Sequence, residues 1–527
     1  MTRREEWAWC AAACAPPVLG LFAAGGVLLG EDAYQYLSAA DNLGAGRGLS
    51  TCLLHYDVER AAGVIPAPLT MRPAGYSMAI ASLRGIGVPS VAAAGAISGV
   101  AFALLMPMLV AAGRSLRLTP LAQRLALIWV LTNSWSFVYP SAAITESLFA
   151  ALVSGAVTLL LAFEQDSDWT PRRMPLVAAG TLVGLAYWVR YAGLLVFGGV
   201  LIYYGLQWLR RRRRQELIRL VCVAAPAALL IGLSVLRNVR LTGSWTGGYD
   251  LEGTWTLSAL TRQLASALYH LFLGGAAAAP LGAAELVLAF SVVTLAILTV
   301  WPRRPPHDSP AVPDIWRPAQ LLAVVLVVYA IGLVAVARVG RITFDTRMLY
   351  PMLPLAILGL AIGLSLIDRT MAGLAVRRAV FVAAVALGTC AYVAINVRSI
   401  RAPRSTGSHV AVAQRLSGSV RAWIDLNIPP DAAIVATDGQ ATGFVLRRPT
   451  ISLAPAEFSA TAWTEDAIQR VMRTFDARFL ITYLDADPRH DPVQSQSPFL
   501  SGLVRGDVPA WLTVVTENAA VRIFRAQ

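Results

Sequence analysis

The chain has 527 residues, 56% of them hydrophobic and only 14% charged, where about 25% charged is usual for soluble domains. So few charges cannot cover a water-soluble surface of this size, which excludes a string of soluble domains. All 44 basic residues are arginine and the net charge is +13; with no lysine, Schiff-base chemistry of the pyridoxal kind and P-loop ATP hydrolysis are excluded.

In chain order, apolar runs long enough to cross about 30 Å of hydrocarbon, some 20 helical residues each, predict about eleven spans. They lie near 7–29, 89–112, 121–139, 143–162, 174–190, 192–209, 217–236, 283–301, 319–337, 349–367 and 379–397. The first run lacks a small-x-small cleavage site and opens a series of spans, so it reads as an anchor and not as a signal peptide. Arginines at 3–4, 114 and 117, 172–173, 210–214, 303–304 and 377–378 fall at alternate span ends, which puts the N-terminus in the cytoplasm. An odd number of spans then places the tail outside, although Arg398, Arg401 and Arg404 follow the last span on that side. The basic residues are spread over loops and gather on no soluble module, so they point to anionic headgroups of membrane lipids and not to nucleic acid.

The long polar stretches are 30–88, 237–282 and the tail, all on the outer side of this topology. Residues 1–397 thus read as a membrane domain with two outer loops, and 398–527 as a small soluble α/β domain on the outer side. In that tail a helical stretch (412–427) precedes β-rich runs at 432–438, 450–455, 478–485 and 511–517, separated by polar and helical segments.

Glu31 and Asp32 stand directly after the first span. Asp is a favoured N-cap, so Asp32 reads either as the cap of a helix starting at Ala33 or as an acid presented at the outer face. The stretch TMRPAGYSMAIASLRGIG (70–87) is too short to span; with Pro73 at its start and Gly85 and Gly87 at its end it predicts an interfacial helix. Arg72, Arg190, Arg237 and Arg347 sit at outer span ends, against the positive-inside rule; they either snorkel to lipid phosphates or hold an anionic ligand. Glu146 lies near the outer boundary of a span, where a buried carboxylate is costly without a cationic partner.

The five cysteines offer no disulfide framework, and no His-x-x-His or Glu-x-x-His spacing nucleates a metal site. His55 and His270 read as solvated loop histidines, and Trp245 and Trp255 as interface anchors.

Taken in order, these residues resemble a known superfamily. The acidic pair is followed by Y-x-Y-L-x-x-A-x-N-L-x-x-G-x-G (34–48) and R-P-x-G-Y (72–76). Then come ITESLF (144–149), WVRYAGLL (188–195), Arg237-Asn238 with Gly243, and RMLYPMLP (347–354). The set is similar to the GT-C superfamily of membrane glycosyltransferases, in the branch of the protein O-mannosyltransferase relatives and the lipid A aminoarabinose transferases.

The resemblance implies a polytopic GT-C-like helical fold with an extracytoplasmic α/β domain in the cell membrane. It also implies hexosyl or pentosyl transfer from a polyprenyl-phosphate donor to a lipid, glycan or protein hydroxyl. Asp32 or Glu31 would then be the general base, and Arg347, Arg72, Arg190 and Arg237 would hold the phosphate, whose geometry the guanidinium fork fits bidentately. Glu146, Tyr350, Asn238 and Tyr76 would support them. Family members often carry Asp-Glu where this chain has Glu31-Asp32, and members with a single acid at the second position favour Asp32. Where they carry Arg-Tyr this chain has Arg347-Met348, so that tyrosine's role is lost or passes to Tyr350. No cofactor is required, and a divalent metal stays open. The rival readings are a lipid or glycan transporter or flippase, for which internal repeats and mid-membrane charges are missing, and a non-catalytic receptor.

Overall fold

A computed structural model describes residues 2–55, 58, 60–165, 173–247, 255–274, 316–340, 344–371, 375–400, 407–454, 463–485 and 492–527. The expected span at 283–301, part of the loop 237–282, and Arg303, Arg304, Arg401 and Arg404 lie outside the described residues.

Among the described residues eight helical segments are long and apolar enough to cross a membrane, and the chain is a multi-pass membrane protein. The first segment is two helices, α1 (Arg3–Ala12) and α2 (Ala15–Ala24). It breaks between them because Pro16 and Pro17 have no N–H to continue the ladder and fit only a first turn. Next come α3 (Glu31–Gly44), the short strands β1 (Ser50–Thr51), β2 (Leu53–Leu54) and β3 (Ala67–Pro68), and α4 (Gly75–Arg84). α4 falls within the stretch 70–87 expected to be helical, with Tyr76, Ser77 and Ile80 buried.

The spanning helix α5 (Ser90–Ser115) leads to α6 (Pro120–Thr132) and the single turn α7 (Trp135–Val138). The run expected at 121–139 is therefore broken. Asn133 ends α6, its Oδ1 accepting from the Trp135 N–H while its Nδ2 donates to the Leu271 carbonyl and to Tyr392, so its side chain replaces the helical bonds. After α8 (Glu146–Gln165), α9 (Met174–Val189) ends where Arg190 turns extended. α10 (Gly193–Arg211) and α11 (Arg214–Thr242) follow, and then α12 (Leu257–Leu273), a helix in the stretch expected to be an outer loop. α13 (Trp316–Gly340), α14 (Thr346–Leu349), α15 (Leu353–Thr370) and α16 (Ala375–Ile400) complete the helical part.

The tail contains α17 (Ser408–Arg415), α18 (Ser419–Asn427), β4 (Ile434–Ala436), α19 (Gly439–Leu446), β5 (Thr450–Ser452), α20 (Glu465–Thr474) and β6 (Phe479–Tyr483). It ends with α21 (Pro492–Gln496), α22 (Pro498–Arg505), β7 (Leu512–Glu517) and β8 (Val521–Ala526). The predicted helix at 412–427 is split by Gly418, which sits at φ 65°.

One six-stranded sheet runs β2-β5-β4-β6-β8-β7, parallel from β2 to β6 and antiparallel through β8 and β7. Its edge strand β2 comes from the loop after the first span, Leu53 opposite Thr450 and Leu54 opposite Ile451. The core follows the same route: Tyr34, Leu37, Leu53, Tyr76 and Ala93 pack in one cluster with Val412, Ile424, Ile434 and Ile481. Apolar burial is thus continuous from α3, α4 and α5 into the tail sheet.

Candidate active site

The site is assembled from five segments that are remote in sequence. α3 starts at Glu31 with Gly30 as its cap, so Asp32 is the second residue of the helix and not its cap. That position favours a carboxylate through the exposed N–H groups of the first turn. Asp32 points inward and is 9% exposed, whereas Glu31 is exposed.

Arg72 lies just before α4. Gly75 lets α4 begin hard against the end of α9, since a Cβ there would lie 2.6 Å from the Trp188 carbonyl oxygen. Arg190 leaves α9 two residues later. Arg347 is the second residue of α14, whose cap Asp345 accepts from the Met348 N–H at 3.2 Å. Glu146 opens α8 and is fully buried.

These side chains form one chain of ion pairs. Arg72 pairs with Oδ1 of Asp32. Arg347 Nη2 donates to Asp32 Oδ2 at 2.7 Å, and its Nε donates to Glu146 Oε1 at 2.8 Å. Arg190 Nη1 donates to the same Glu146 oxygen at 2.6 Å and to Thr145 Oγ1 at 3.0 Å. Within this chain three guanidiniums meet two carboxylates, and the Asp345 carboxylate of the α14 cap also acts on Arg347 and Arg190. The Arg347 side chain is 37% exposed, so the cluster is not sealed and its guanidiniums can still meet an anion.

Burial by itself would raise the Asp32 carboxyl, but the Arg72 and Arg347 guanidiniums outweigh it and hold the group well below the usual carboxylate range. Behind it, burial pushes the Tyr36 phenol up to about 12, and its ring meets Tyr76 edge-on at 5.4 Å. His55, expected to be a solvated loop histidine, is buried: Nδ1 lies 2.9 Å from Ser452 Oγ in β5, and burial, helped by the Arg72 charge, pushes it down to about 3. The loop that carries it is pinned under the tail sheet through β2.

The other expected residues stand around this chain. Arg237 donates to two backbone carbonyls, Leu69 at 2.8 Å and Leu49 at 3.3 Å, fastening the segment that leads to Arg72. Asn238 donates to Tyr191 at 3.0 Å, and Tyr191 donates to the Thr70 carbonyl at 2.7 Å, a second tie on the same segment. Tyr76 bonds the Ala94 carbonyl and Ser98 and so fixes α4 to α5. Tyr350 packs its ring on Tyr139 at 4.4 Å. Trp245 is 59% exposed, and His270 lies in α12, its carbonyl accepting from the Trp135 indole.

Sequence reasoning missed Thr145, Tyr36, Tyr139 and the cap Asp345. Thr145 and Tyr36 lay inside recognised motifs, while nothing local to Tyr139 or Asp345 distinguishes it. Among the described residues no three His, Cys, Asp or Glu side chains gather as metal ligands. Both site carboxylates face guanidiniums, a donor set that does not suit a divalent cation.

The fold is shared with GT-C glycosyltransferases, at identities that establish the fold alone. ArnT from Cupriavidus metallidurans, solved with undecaprenyl phosphate, superposes with a TM-score of 0.58 at 14% identity, over 99% of this chain and 98% of that one. The Archaeoglobus fulgidus oligosaccharyltransferase, solved with zinc and sulfate, gives 0.56 at 13% identity over 90% of this chain and 68% of its own. The mycobacterial arabinofuranosyltransferase AftD gives 0.57 at 16% identity over 100% of this chain and 42% of its own. No family model and no curated protein matches the chain by sequence.

Proposed function

We propose that this chain is a glycosyltransferase that moves a sugar from a polyprenyl-phosphate donor to an acceptor hydroxyl at the outer face of the cell membrane. The observation that carries the reading is the ion-pair chain Arg72, Asp32, Arg347, Glu146, Arg190, which gathers three guanidiniums around the Asp32 and Glu146 carboxylates. Its setting supports it: one structural neighbour was solved with undecaprenyl phosphate and another with dolichol phosphate.

A donor phosphodiester carries one negative charge, which the guanidinium forks can meet. Competing for Arg72 and Arg347, it loosens their hold on Asp32 and makes the carboxylate a better base. The acceptor hydroxyl then attacks the anomeric carbon, its proton passes to Asp32, and the bond from that carbon to the phosphate oxygen breaks with its electron pair staying on oxygen. The leaving phosphate gains the negative charge that Asp32 loses, and the guanidiniums turn from one to the other. The negative charge facing the arginines stays constant through the step, so their electrostatic support carries over from Asp32 to the leaving phosphate.

In this reading Glu146 holds Arg347 and Arg190 in place, and Arg237, Asn238 and Tyr76 hold the segment bearing Arg72. The topology proposed with it has about eleven spans including 283–301, the N-terminus in the cytoplasm, and 398–527 as an extracytoplasmic α/β domain.

The test is a donor screen on the purified protein with polyprenyl-phosphate hexoses and pentoses, comparing wild type, Asp32→Asn and Glu31→Gln. Asp32→Asn is expected to lose at least about 100-fold in turnover while Glu31→Gln keeps most of it. Full activity in Asp32→Asn removes it as base, and lipid movement without transfer points to a flippase instead.

A further inference from the structure

The helix that carries Asp32 begins without a side-chain cap, because Gly30 has no side chain to offer its first N–H groups. Something else must hold the first turn, and the tail does so. Tyr34 follows Asp32 by two positions, which is about 200° around the helix, so the two side chains leave it on opposite sides. Asp32 faces the arginines of the helical part. Tyr34 faces the tail, where its hydroxyl accepts from the His409 N–H at 3.1 Å and lies 3.3 Å from Ser408 Oγ and 3.2 Å from His409 Nδ1. Its ring is fully buried and meets Phe444 of α19 at 5.1 Å.

Three more bonds fasten α3 to the loop that follows it: Gln35 Nε2 to the Leu53 carbonyl in β2 at 3.2 Å, Ser38 Oγ from the Cys52 N–H at 2.9 Å, and Asn42 Nδ2 to the Ser50 carbonyl at 2.8 Å. The chain reaches Tyr34 at one point where only glycine fits. Gly407 has φ 131°, and a Cβ there would run into the Leu29 carbonyl and lie 3.2 Å from the Tyr34 hydroxyl.

We infer that Tyr34 is a positioning residue for Asp32: its hydroxyl, seated on Ser408 and His409, fixes the roll of α3 and thereby the register of the carboxylate against Arg72 and Arg347. The inference deepens the transferase reading and rests on it for its effect on turnover. A helix pinned on one side only by its own ion pairs rolls when the donor phosphate competes for those arginines. The anchor on the far side keeps Asp32 in place at that moment, when its geometry decides the rate.

The test compares full-length wild type, Tyr34→Phe and Gly407→Ala. Tyr34→Phe keeps the ring on Phe444 and loses only the hydroxyl. The expected result is a fall in kcat of roughly 10-fold with donor KM within about 2-fold and an unchanged thermal midpoint, a split that general destabilisation would not give. Amide hydrogen exchange over residues 31–36 is expected to speed up in both variants. Unchanged exchange there overturns the inference, as does accelerated exchange with wild-type kcat. If the wild type transfers from no polyprenyl-phosphate donor, the reaction reading fails by itself, and the exchange result alone decides whether Tyr34 holds the helix.

Discussion

Burial and charge pull the Asp32 carboxyl in opposite directions, and at this residue charge prevails. A carboxylate depressed in the folded state adds stability that is fully present above its unfolded value, near 4, and is lost only as pH falls through the lower folded value. The difference in thermal midpoint between wild type and Asp32→Asn should therefore stay flat from about pH 5 to pH 9 and shrink only in stronger acid, as thermal melts across that range would show. Arg347 is the residue on which the phosphate reading depends most, because among the described residues it alone hydrogen-bonds both Asp32 and Glu146. Arg347→Gln removes a charged donor from that junction. Donor binding should weaken by about 10- to 100-fold in a direct binding assay, and unchanged affinity would refute its contact with phosphate. Arg237 shows why sequence position does not give a role by itself: like Arg347 it stands near the end of a predicted span, yet its fork goes to the carbonyls of Leu49 and Leu69.

At the scale of elements the site depends on close approach. α4 follows Arg72 directly and touches α9 at Gly75, so the two arginines that flank the site from these elements are set by a contact that admits no side chain. Gly75→Val forces α4 off the Trp188 backbone and moves Arg72 with it. Turnover should fall more than the yield of folded protein, and donor KM should rise, whereas a purely structural cost would lower yield alone. β2 makes a similar point about the sheet. Two residues of the loop after the first span, Leu53 and Leu54, complete a sheet whose other strands lie beyond residue 430. A strand this short has no alternation to read, so no sequence period marks it.

Taken as a whole, the molecule shares one apolar core between the spanning helices and the tail sheet. Deleting residues 408–527 leaves β2 without β5 and exposes Tyr34, Leu37 and Leu53. The truncated chain should aggregate or migrate as a broad species in size-exclusion chromatography although every described spanning helix remains. A monodisperse truncated chain would show that the helical part stands alone. The arginines around the α10–α11 junction are not simply solvated either: Glu216, 5% exposed, is bonded by Arg211 at 2.8 Å and Arg219 at 3.3 Å, which ties the start of α11 to the end of α10.

The sequence by itself determined that the chain crosses the membrane several times, because a segment in lipid must satisfy its backbone within itself and so is marked by its own hydropathy, but not where a run breaks, as at Asn133. It also marked residues that could carry chemistry, since an acidic pair follows the first span and arginines stand at span ends where the inferred topology would not put them. Only the tertiary structure decided which of them meet. Asp32 and Arg347 pair across 315 positions, and Glu146 joins Arg347 across 201. Such contacts arise from how helices pack and loops close, which no local period encodes. The same holds for the buried His55, for β2, and for the tie from Tyr34 to the tail, each fixed by partners hundreds of residues away.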